Sequence, residues 1–357
     1  MNLDNTKKIY KLDPGLMAES IGMLPEQINQ VLEDSHLVRI PESYSRIDKV
    51  VINGMGASNL GARILQSCFL DKLKVPIEVE PGYGVPNYVD KRTLYIISSY
   101  SGNTEEPLSV YEEVKKRGAR ILGITSSHEK NKLEKLMMEE NIPGFVFSPL
   151  HNPSEQPRIG LGYSIFGFLV LLDKVGVIDL DKKKVERIVK RLKDNNFNLR
   201  PEAKTSENQA KKIAQGLKGR VPVVIGAGFL EGNLHALRNQ FCENSKNFAD
   251  YLSLPELNHY LLESLANPVS NKKNLAFLFI DSDKYHPRVQ KRSELTKEVA
   301  RKNGAKVLEY QVKEFSRLGQ CAQVLQFGSW VSFYLGILNN VNPAQIPWVD
   351  WFKKELK

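Results

Sequence analysis

Hydrophobic residues along the chain occur in two alternating patterns, short apolar runs typical of strands and longer stretches with helical spacing. Their order predicts how strands and helices follow one another along the chain. Short apolar runs such as "TLYII" at 93–97 and "NLAFLFI" at 274–280 have the length and composition of buried strands. Each run is followed by a longer stretch with helical spacing of apolar residues, then by a glycine and a further apolar run. Strands that alternate with helices of this length predict βαβ units in a mainly parallel sheet.

The chain contains this arrangement twice. "VVINGMGASNLGARILQS" begins at Val50 and "VVIGAGFLEGNLHALRNQ" begins at Val223, and each combines a β-branched run, a glycine-rich turn and a helical pattern. Gly56 of the first segment corresponds to Gly228 of the second. We therefore predict an α/β fold of two tandem doubly wound domains, each with a parallel sheet flanked by helices.

The length of 357 residues agrees with two domains. The predicted organisation has a helical N-terminal segment packed on the first domain, connecting helices between the domains, and a C-terminal segment with a helix. The predicted boundaries are 1–40 for the N-terminal segment, 41–160 for the first domain, 161–204 for the connecting helices, 205–340 for the second domain and 341–357 for the C-terminal segment.

The charge balance narrows the choice of ligand. A net charge of +9 and a pI of about 9.2 suit an anion, either a small phosphate ester or nucleic acid. The sequence has no basic tail, no Cys/His finger spacing and no aromatic–basic repeat, so we expect no nucleic-acid partner. A solvated lysine-rich surface explains most of the excess charge.

Cysteine use and hydropathy predict a cytoplasmic protein without a membrane partner. The three cysteines lie far apart and form no CxxC, which is typical of free thiols in a reducing compartment. The polar N-terminus lacks the apolar core of a signal peptide. The longest apolar run, 163–172, is shorter than the roughly 20 residues that cross a bilayer.

The first glycine turn, "NGMGASNLG", allows close backbone approach at Gly54 and Gly56, with Ser58 near the start of the helix. Asn59 breaks the GxGxxG dinucleotide fingerprint, and no Gly-Lys-Ser/Thr of a P-loop occurs. The alternative is a tight turn that serves packing alone.

The stretch "SSYSGNT" at 98–104 lies where a strand gives way to a helix. Its hydroxyls and free N–H groups converge on the helix N-terminus, which suits a phosphate dianion, with Ser99, Ser101 and Thr104 as side-chain donors. The alternative is simple N-capping by Ser101 or Thr104, although capping needs only one hydroxyl.

Three further residues could carry chemistry. Arg158, in "PSEQPRIGLGY", could hold an oxyanion bidentately, although a surface arginine fits as well. Glu243 and His259 supply a carboxylate and an imidazole suited to proton shuttling on a sugar, although isolated residues of these types are usually structural. The other histidines form no ligand spacing with cysteines or acids, so we expect no metal and no cofactor.

The motif "SSYSGNTEE" resembles the SIS (sugar isomerase) family, in which this loop binds the phosphate of a sugar phosphate. With "GMGASNLG", "PRIGLGY", "ENSK", "PELNH" and the C-terminal "NPAQIPWVDWFKKELK", nearly the whole chain is similar to bifunctional phosphoglucose/phosphomannose isomerases. The resemblance implies two SIS domains and reversible isomerisation of glucose 6-phosphate, and mannose 6-phosphate, with fructose 6-phosphate. It also implies a homodimer in which the histidine is contributed across the subunit interface.

The resemblance also implies residue roles. Glu243 would move a proton between C1 and C2 through a cis-enediol, His259 and Lys353 would assist ring opening, and Arg158 would stabilise the enediolate oxygen. The phosphate would be bound by Gly56, Ala57, Ser58, Ser99, Ser101 and Thr104.

Two positions depart from the family pattern, namely Ala57, where a second glycine is usual, and Tyr260, where asparagine usually follows "PELNH". They leave the preference between glucose and mannose open. Two other functions stay open at this point: a non-catalytic SIS protein that binds a sugar phosphate to sense or regulate, and an isomerase of a different sugar phosphate.

Overall fold

The structure is a computed structural model that describes residues 1–356, so the last residue of the predicted C-terminal segment, 357, lies outside the described residues. The strands are β1 Lys49–Asn53, β2 Ile77–Val79, β3 Thr93–Ser98, β4 Arg120–Ser126, β5 Gly144–Phe147, β6 Val221–Ala227, β7 Asp250–Leu254, β8 Leu275–Ser282 and β9 Lys306–Val312. The helices are α1 Thr6–Leu12, α2 Met17–Gly22, α3 Leu24–Asp34, α4 Ala57–Phe69, α5 Glu105–Ser109, α6 Tyr111–Lys116, α7 Lys132–Glu139, α8 Leu161–Lys174, α9 Lys182–Asn196, α10 Gln209–Leu217, α11 Glu231–Ser245, α12 Leu261–Ser264, α13 Asn271–Asn274, α14 Pro287–Lys302, α15 Arg317–Leu338 and α16 Pro347–Glu355. Short 3-10 turns cover Glu42–Ser45, Gly228–Leu230 and Glu256–His259.

The first sheet has five parallel strands in the order β2-β1-β3-β4-β5. Every residue of β3 is buried, which explains why its sequence is an unbroken apolar run instead of an alternating one. The strand order reverses between β1 and β3, and Asn53 is paired with Ile97. The glycine turn, residues 54–58 after β1, and the hydroxyl-rich loop, residues 98–104 after β3, therefore lie side by side at the switch point. This is where such sheets bind ligands.

The second sheet has four parallel strands in the order β7-β6-β8-β9. The turn after β6 repeats the conformation of the turn after β1, because Gly56 and Gly228 both have φ of +50°. This left-handed region favours glycine at both positions. The predicted α/β fold with two parallel sheets is confirmed.

The chain forms two compact units. The first unit contains residues 23–191 and 229–233, and therefore β1 to β5. The second unit contains residues 1–22, 192–228 and 234–356, and therefore β6 to β9. The narrower boundaries proposed above for each domain stay predictions.

The N-terminal residues differ from the expectation in their placement. The prediction packed residues 1–40 on the first domain, whereas residues 1–22 group with the second unit. Residues 1–22 contact the second unit through α2, which packs against α15, and through the buried ammonium of Lys211. Its Nζ donates to the carbonyl oxygens of Leu3 at 2.7 Å, Pro201 at 2.8 Å and Ala203 at 2.7 Å. A buried cation needs several acceptors, and Leu3 supplies one of them.

One long helix lies inside each unit. In the first unit α8 packs against α3 and α4, and twelve of its residues from Leu161 to Leu172 are buried. In the second unit α15 is long and apolar enough to cross a membrane, but 94% of its most apolar window is buried in the fold. The apolar residues of α15 therefore form part of the buried core of the second unit.

Candidate functional site

The glycine turn and the hydroxyl-rich loop of the first unit are joined by hydrogen bonds. The Ser58 Oγ accepts from the Tyr100 N–H at 2.8 Å, and the Ser58 carbonyl oxygen accepts from Ser98 Oγ at 2.8 Å. A Cβ at Gly54 would lie 2.8 Å from the Ser98 carbonyl oxygen, so only glycine permits this approach. Gly54 therefore has a role in joining the two loops, and not only in forming a tight turn.

Two of the predicted phosphate-binding residues lie at the start of α4. Ala57 is its first residue and is partly exposed, and Ser58 is buried. Since the Ser58 Oγ accepts from Tyr100, its own hydrogen stays available for an anion oxygen.

The loop 99–104 uses its hydroxyls differently from a simple helix cap. Thr104 is the N-cap residue of α5, yet its side chain does not cap the helix. Instead, the Thr104 Oγ1 accepts from Ser99 Oγ at 2.9 Å, while the Thr104 N–H reaches the same Ser99 oxygen at 3.4 Å. Ser99 is fully buried and Ser101 is exposed. Most N–H groups of the loop already have acceptors inside the protein. The loop therefore presents mainly hydroxyl groups, above all that of the exposed Ser101, with no acidic side chain between Ser98 and Thr104.

Arg158 is buried, with 2% of its surface exposed, so the alternative of a surface arginine is wrong. Its Nη1 donates to Gln156 Oε1 at 2.6 Å. The loop that carries Arg158 is fixed to the hydroxyl-rich loop, because Asn152 Nδ2 donates to the Tyr100 hydroxyl at 2.8 Å. A Cβ at Gly160 would lie 2.6 Å from the Tyr100 ring, so the two loops touch closely.

Tyr100 is the residue that sequence reasoning missed. It contacts Ser58 through its N–H and Asn152 through its hydroxyl, and burial raises the pKa of that hydroxyl to about 12. It therefore stays a neutral hydrogen-bonding group that connects three loops. Its position inside "SSYSGNT" was the only signal in the sequence.

The second unit holds the remaining predicted residues. Glu243 is partly exposed near the end of α11, and its carbonyl oxygen accepts from Lys246 Nζ at 2.8 Å. The same Nζ donates to the Asn342 carbonyl oxygen at 2.8 Å, which connects the end of α11 with the segment that leads into α16. The neighbouring Asn244 is buried and donates to Ser332 Oγ at 2.9 Å. The backbone of Glu243 is thus held by a bond to its own carbonyl oxygen and by the bond of the next residue, Asn244.

His259 and Lys353 are both exposed. His259 is the last residue of the 3-10 turn after β7, and it is followed by Tyr260, which is 53% exposed. Lys353 lies in the last turn of α16. Among residues 1–356, no three His, Cys, Asp or Glu side chains come together as metal ligands would.

Two family descriptions match the chain. Residues 43–136 match the SIS domain, and residues 206–356 match the bacterial phospho-glucose isomerase C-terminal SIS domain. The fold and these matches define a protein with two SIS domains.

Curated relatives narrow the class. A bifunctional phosphoglucose/phosphomannose isomerase from Caldicellulosiruptor bescii is 34% identical over 342 residues, which is 95% of this chain and 98% of the relative. An enzyme of the same name from Aquifex aeolicus is 30% identical over 86% of this chain and 90% of its own length. The chain belongs to the family of bifunctional phosphoglucose/phosphomannose isomerases, which confirms the resemblance seen in the sequence.

Solved structures agree on the fold. A hypothetical protein from Thermus thermophilus superposes with a TM-score of 0.77 at 17% identity, covering 98% of this chain and 93% of that one. Tagatose-6-phosphate ketose/aldose isomerase from Escherichia coli gives 0.71 at 14% identity, covering 92% and 94%. At such identities the likeness concerns the fold alone.

Proposed function

We propose that the chain is an aldose–ketose isomerase that interconverts glucose 6-phosphate, and mannose 6-phosphate, with fructose 6-phosphate. The observation that carries the proposal is the hydroxyl-rich loop bonded to the glycine turn, in a chain that belongs to this family of isomerases. This pair of loops offers a phosphate dianion several donors and no carboxylate.

The phosphate end of the sugar is bound in the first unit under this proposal. Ser58 donates its hydroxyl hydrogen while its oxygen accepts from the Tyr100 N–H, and the exposed Ser101 donates its hydrogen while its oxygen accepts from the Asn103 N–H. Ser99 and Thr104 share a hydroxyl hydrogen bond that orients both oxygens. The complete proposed set is Gly56, Ala57, Ser58, Ser99, Ser101 and Thr104.

The reacting end of the sugar requires a base, a ring-opening group and a positive charge. Glu243 removes the proton from one carbon of the C1–C2 pair and returns it to the other through a cis-enediol. His259, with Lys353, moves protons between the ring oxygen and the anomeric hydroxyl. Arg158 offsets the charge that develops on the enediolate oxygen. The reaction transfers a proton within one molecule and requires no redox cofactor.

The proposed assembly is a cytoplasmic homodimer in which His259 serves the active site of the partner subunit. Support comes from α16, where Trp348 is 79% exposed, Trp351 55% and Phe352 56%. Large aromatic side chains exposed together mark surfaces that another protein covers. The exposure of His259 also allows it to reach a second chain.

The test is a coupled assay of fructose 6-phosphate formation from glucose 6-phosphate and from mannose 6-phosphate, for wild type and Glu243→Gln. The substitution keeps the shape of the side chain but removes the base, so kcat should fall by about 10²-fold or more. Glu207→Gln is the matched control, because Glu207 is an exposed glutamate of the same unit outside the motifs. Its kcat should equal that of wild type.

Each other result points to a different conclusion. Full activity of Glu243→Gln would remove the proposed base. A wild type that binds hexose phosphates but isomerises none of them would favour the sensing role. Turnover of a different hexose phosphate from a panel, without turnover of glucose 6-phosphate, would assign another substrate to the same fold.

A further inference from the structure

Three successive carbonyl groups of the hydroxyl-rich loop are bonded to one neighbouring segment. The Tyr100 carbonyl oxygen accepts from the Ser126 N–H at 3.2 Å and from Ser126 Oγ at 2.6 Å. The Ser101 carbonyl oxygen is 2.6 Å from His128 Nε2, and the Gly102 carbonyl oxygen accepts from the Leu133 N–H at 3.0 Å. Three successive carbonyls are therefore held by residues 126–133, the segment between the end of β4 and the first turn of α7.

This direction of the carbonyls matters for anion binding. In a trans peptide the C=O of one residue and the N–H of the next point in opposite directions. The bonds to Ser126 and Leu133 therefore turn the N–H groups of Ser101 and Asn103 away from residues 126–133, and the Asn103 N–H donates to the Ser101 Oγ at 3.4 Å. Carbonyl oxygens repel a phosphate and N–H groups attract it, so the segment keeps the repelling side of the loop turned away.

The segment is itself held in place by Asn131, which is buried. Its Nδ2 donates to Thr125 Oγ1 at 2.7 Å, and its Oδ1 accepts from the Glu134 N–H at 2.8 Å as the N-cap of α7. Asn131 also lies directly against Gly102, where φ is +64° and a Cβ would lie 1.7 Å from the Asn131 Oδ1. The contact fixes the distance between the loop and α7.

We infer that residues 126–133 position the phosphate-binding loop, and that His128 is a positioning residue for binding of the phosphate end of the substrate. The inference rests on the proposed function only for the identity of the ligand, a hexose phosphate. His128 is exposed and bonds the loop through one side-chain nitrogen, so it can be replaced without opening the core. It does not act on the reacting carbons.

The test combines calorimetry and kinetics on His128→Ala, His128→Gln and wild type. The binding probe is 6-phosphogluconate, which carries the phosphate of the substrate but has a carboxylate at C1 and cannot isomerise. We expect His128→Ala to raise the dissociation constant of the probe and the KM for fructose 6-phosphate by the same factor, about two- to tenfold, the effect of one lost hydrogen bond. The kcat should stay within about twofold of wild type.

Two variants separate positioning from general damage. Glutamine offers an amide N–H in place of the imidazole N–H, so His128→Gln should recover most of the affinity. His36→Ala is the matched control, because His36 is an exposed histidine whose Nδ1 also contacts a backbone carbonyl, that of Glu33, after α3. It should bind the probe like wild type.

The outcomes distinguish this inference from the proposed function. An inactive wild type that binds the probe, with weaker binding by His128→Ala, would reject the isomerase and support the inference. Unchanged probe binding by His128→Ala, or a fall in kcat with KM unchanged, would overturn the inference and leave the isomerase in place. Absence of both probe binding and turnover by wild type would overturn both.

Discussion

At the scale of single residues, the hydroxyls of one loop have different environments and therefore different tasks. Ser99 is fully buried and is bonded to Thr104 at 2.9 Å, whereas Ser101 is exposed. The buried Ser99 hydroxyl holds the shape of the loop. The exposed Ser101 Oγ accepts only a long bond of 3.4 Å from the Asn103 N–H, and its hydrogen faces the side that a ligand can reach.

This difference predicts different results for two alanine substitutions. Ser99→Ala should lower the free energy of unfolding by about 1 kcal/mol through the lost hydrogen bond and should also raise KM. Ser101→Ala should raise KM for fructose 6-phosphate while leaving the unfolding free energy within about 0.5 kcal/mol of wild type. Urea denaturation and steady-state kinetics on the same preparations measure both quantities. If Ser101→Ala left KM unchanged, Ser101 would not be a phosphate ligand.

At the scale of the elements, the site depends on how closely α4 packs against α8. Gly61 of α4 faces Ser164 and Ile165 of α8, and a Cβ at Gly61 would lie 2.9 Å from the Ile165 nitrogen and 3.0 Å from the Ser164 carbonyl carbon. Because both neighbours are backbone atoms, the helix would have to move. Ser58 lies in the first turn of α4, so a shift of the helix would reach the bond to Tyr100.

We therefore predict that Gly61→Ala destabilises the protein by about 1–3 kcal/mol, the usual cost of overpacking. It should also raise KM for fructose 6-phosphate more than it lowers kcat, because Ser58 belongs to the proposed phosphate end of the site. Thermal unfolding and kinetics provide the measurements. Gly84→Ala is the control, since a Cβ at Gly84 would meet nothing within 4 Å. Equal effects of the two substitutions would contradict the packing explanation.

The elements also show what could be predicted from the sequence. The apolar runs identified β1, β3, β6 and β8, and the paired glycines identified two turns that share φ of +50° at Gly56 and Gly228. Local pattern suffices there, because strand burial and turn conformation are local properties. The placement of residues 1–22 was not predictable, because it depends on the contact of Lys211 with Leu3, 208 positions away. Likewise, nothing local shows that Arg158 is buried or that Asn152 contacts Tyr100.

At the scale of the whole molecule, the net charge of +9 fits an enzyme whose substrates carry a phosphate dianion. The charge alone did not distinguish a sugar phosphate from a nucleic acid. The hydroxyl-rich loop did, because it offers a compact set of donors that suits a single phosphate group. Family membership then agreed with this interpretation along nearly the whole chain.

The proposed dimer leads to a prediction that concerns two chains together. If His259 serves the partner subunit, Glu243→Gln and His259→Ala should each be nearly inactive alone, but mixing them should restore activity. In a mixed dimer one of the two sites receives an intact Glu243 from one chain and an intact His259 from the other. Random exchange makes half of the dimers mixed, and each mixed dimer has one complete site. About a quarter of all sites should therefore be active, compared with wild type.

The measurement is activity after the two variants are mixed, dissociated under mild denaturant and reassociated, with light scattering to verify dimers. Each variant treated in the same way alone is the control, and it should stay inactive. Recovery of about a quarter of the wild-type activity requires that the histidine act across the interface, because no chain in the mixture carries both residues. Dimers that form but stay inactive would instead assign His259 to the active site of its own chain.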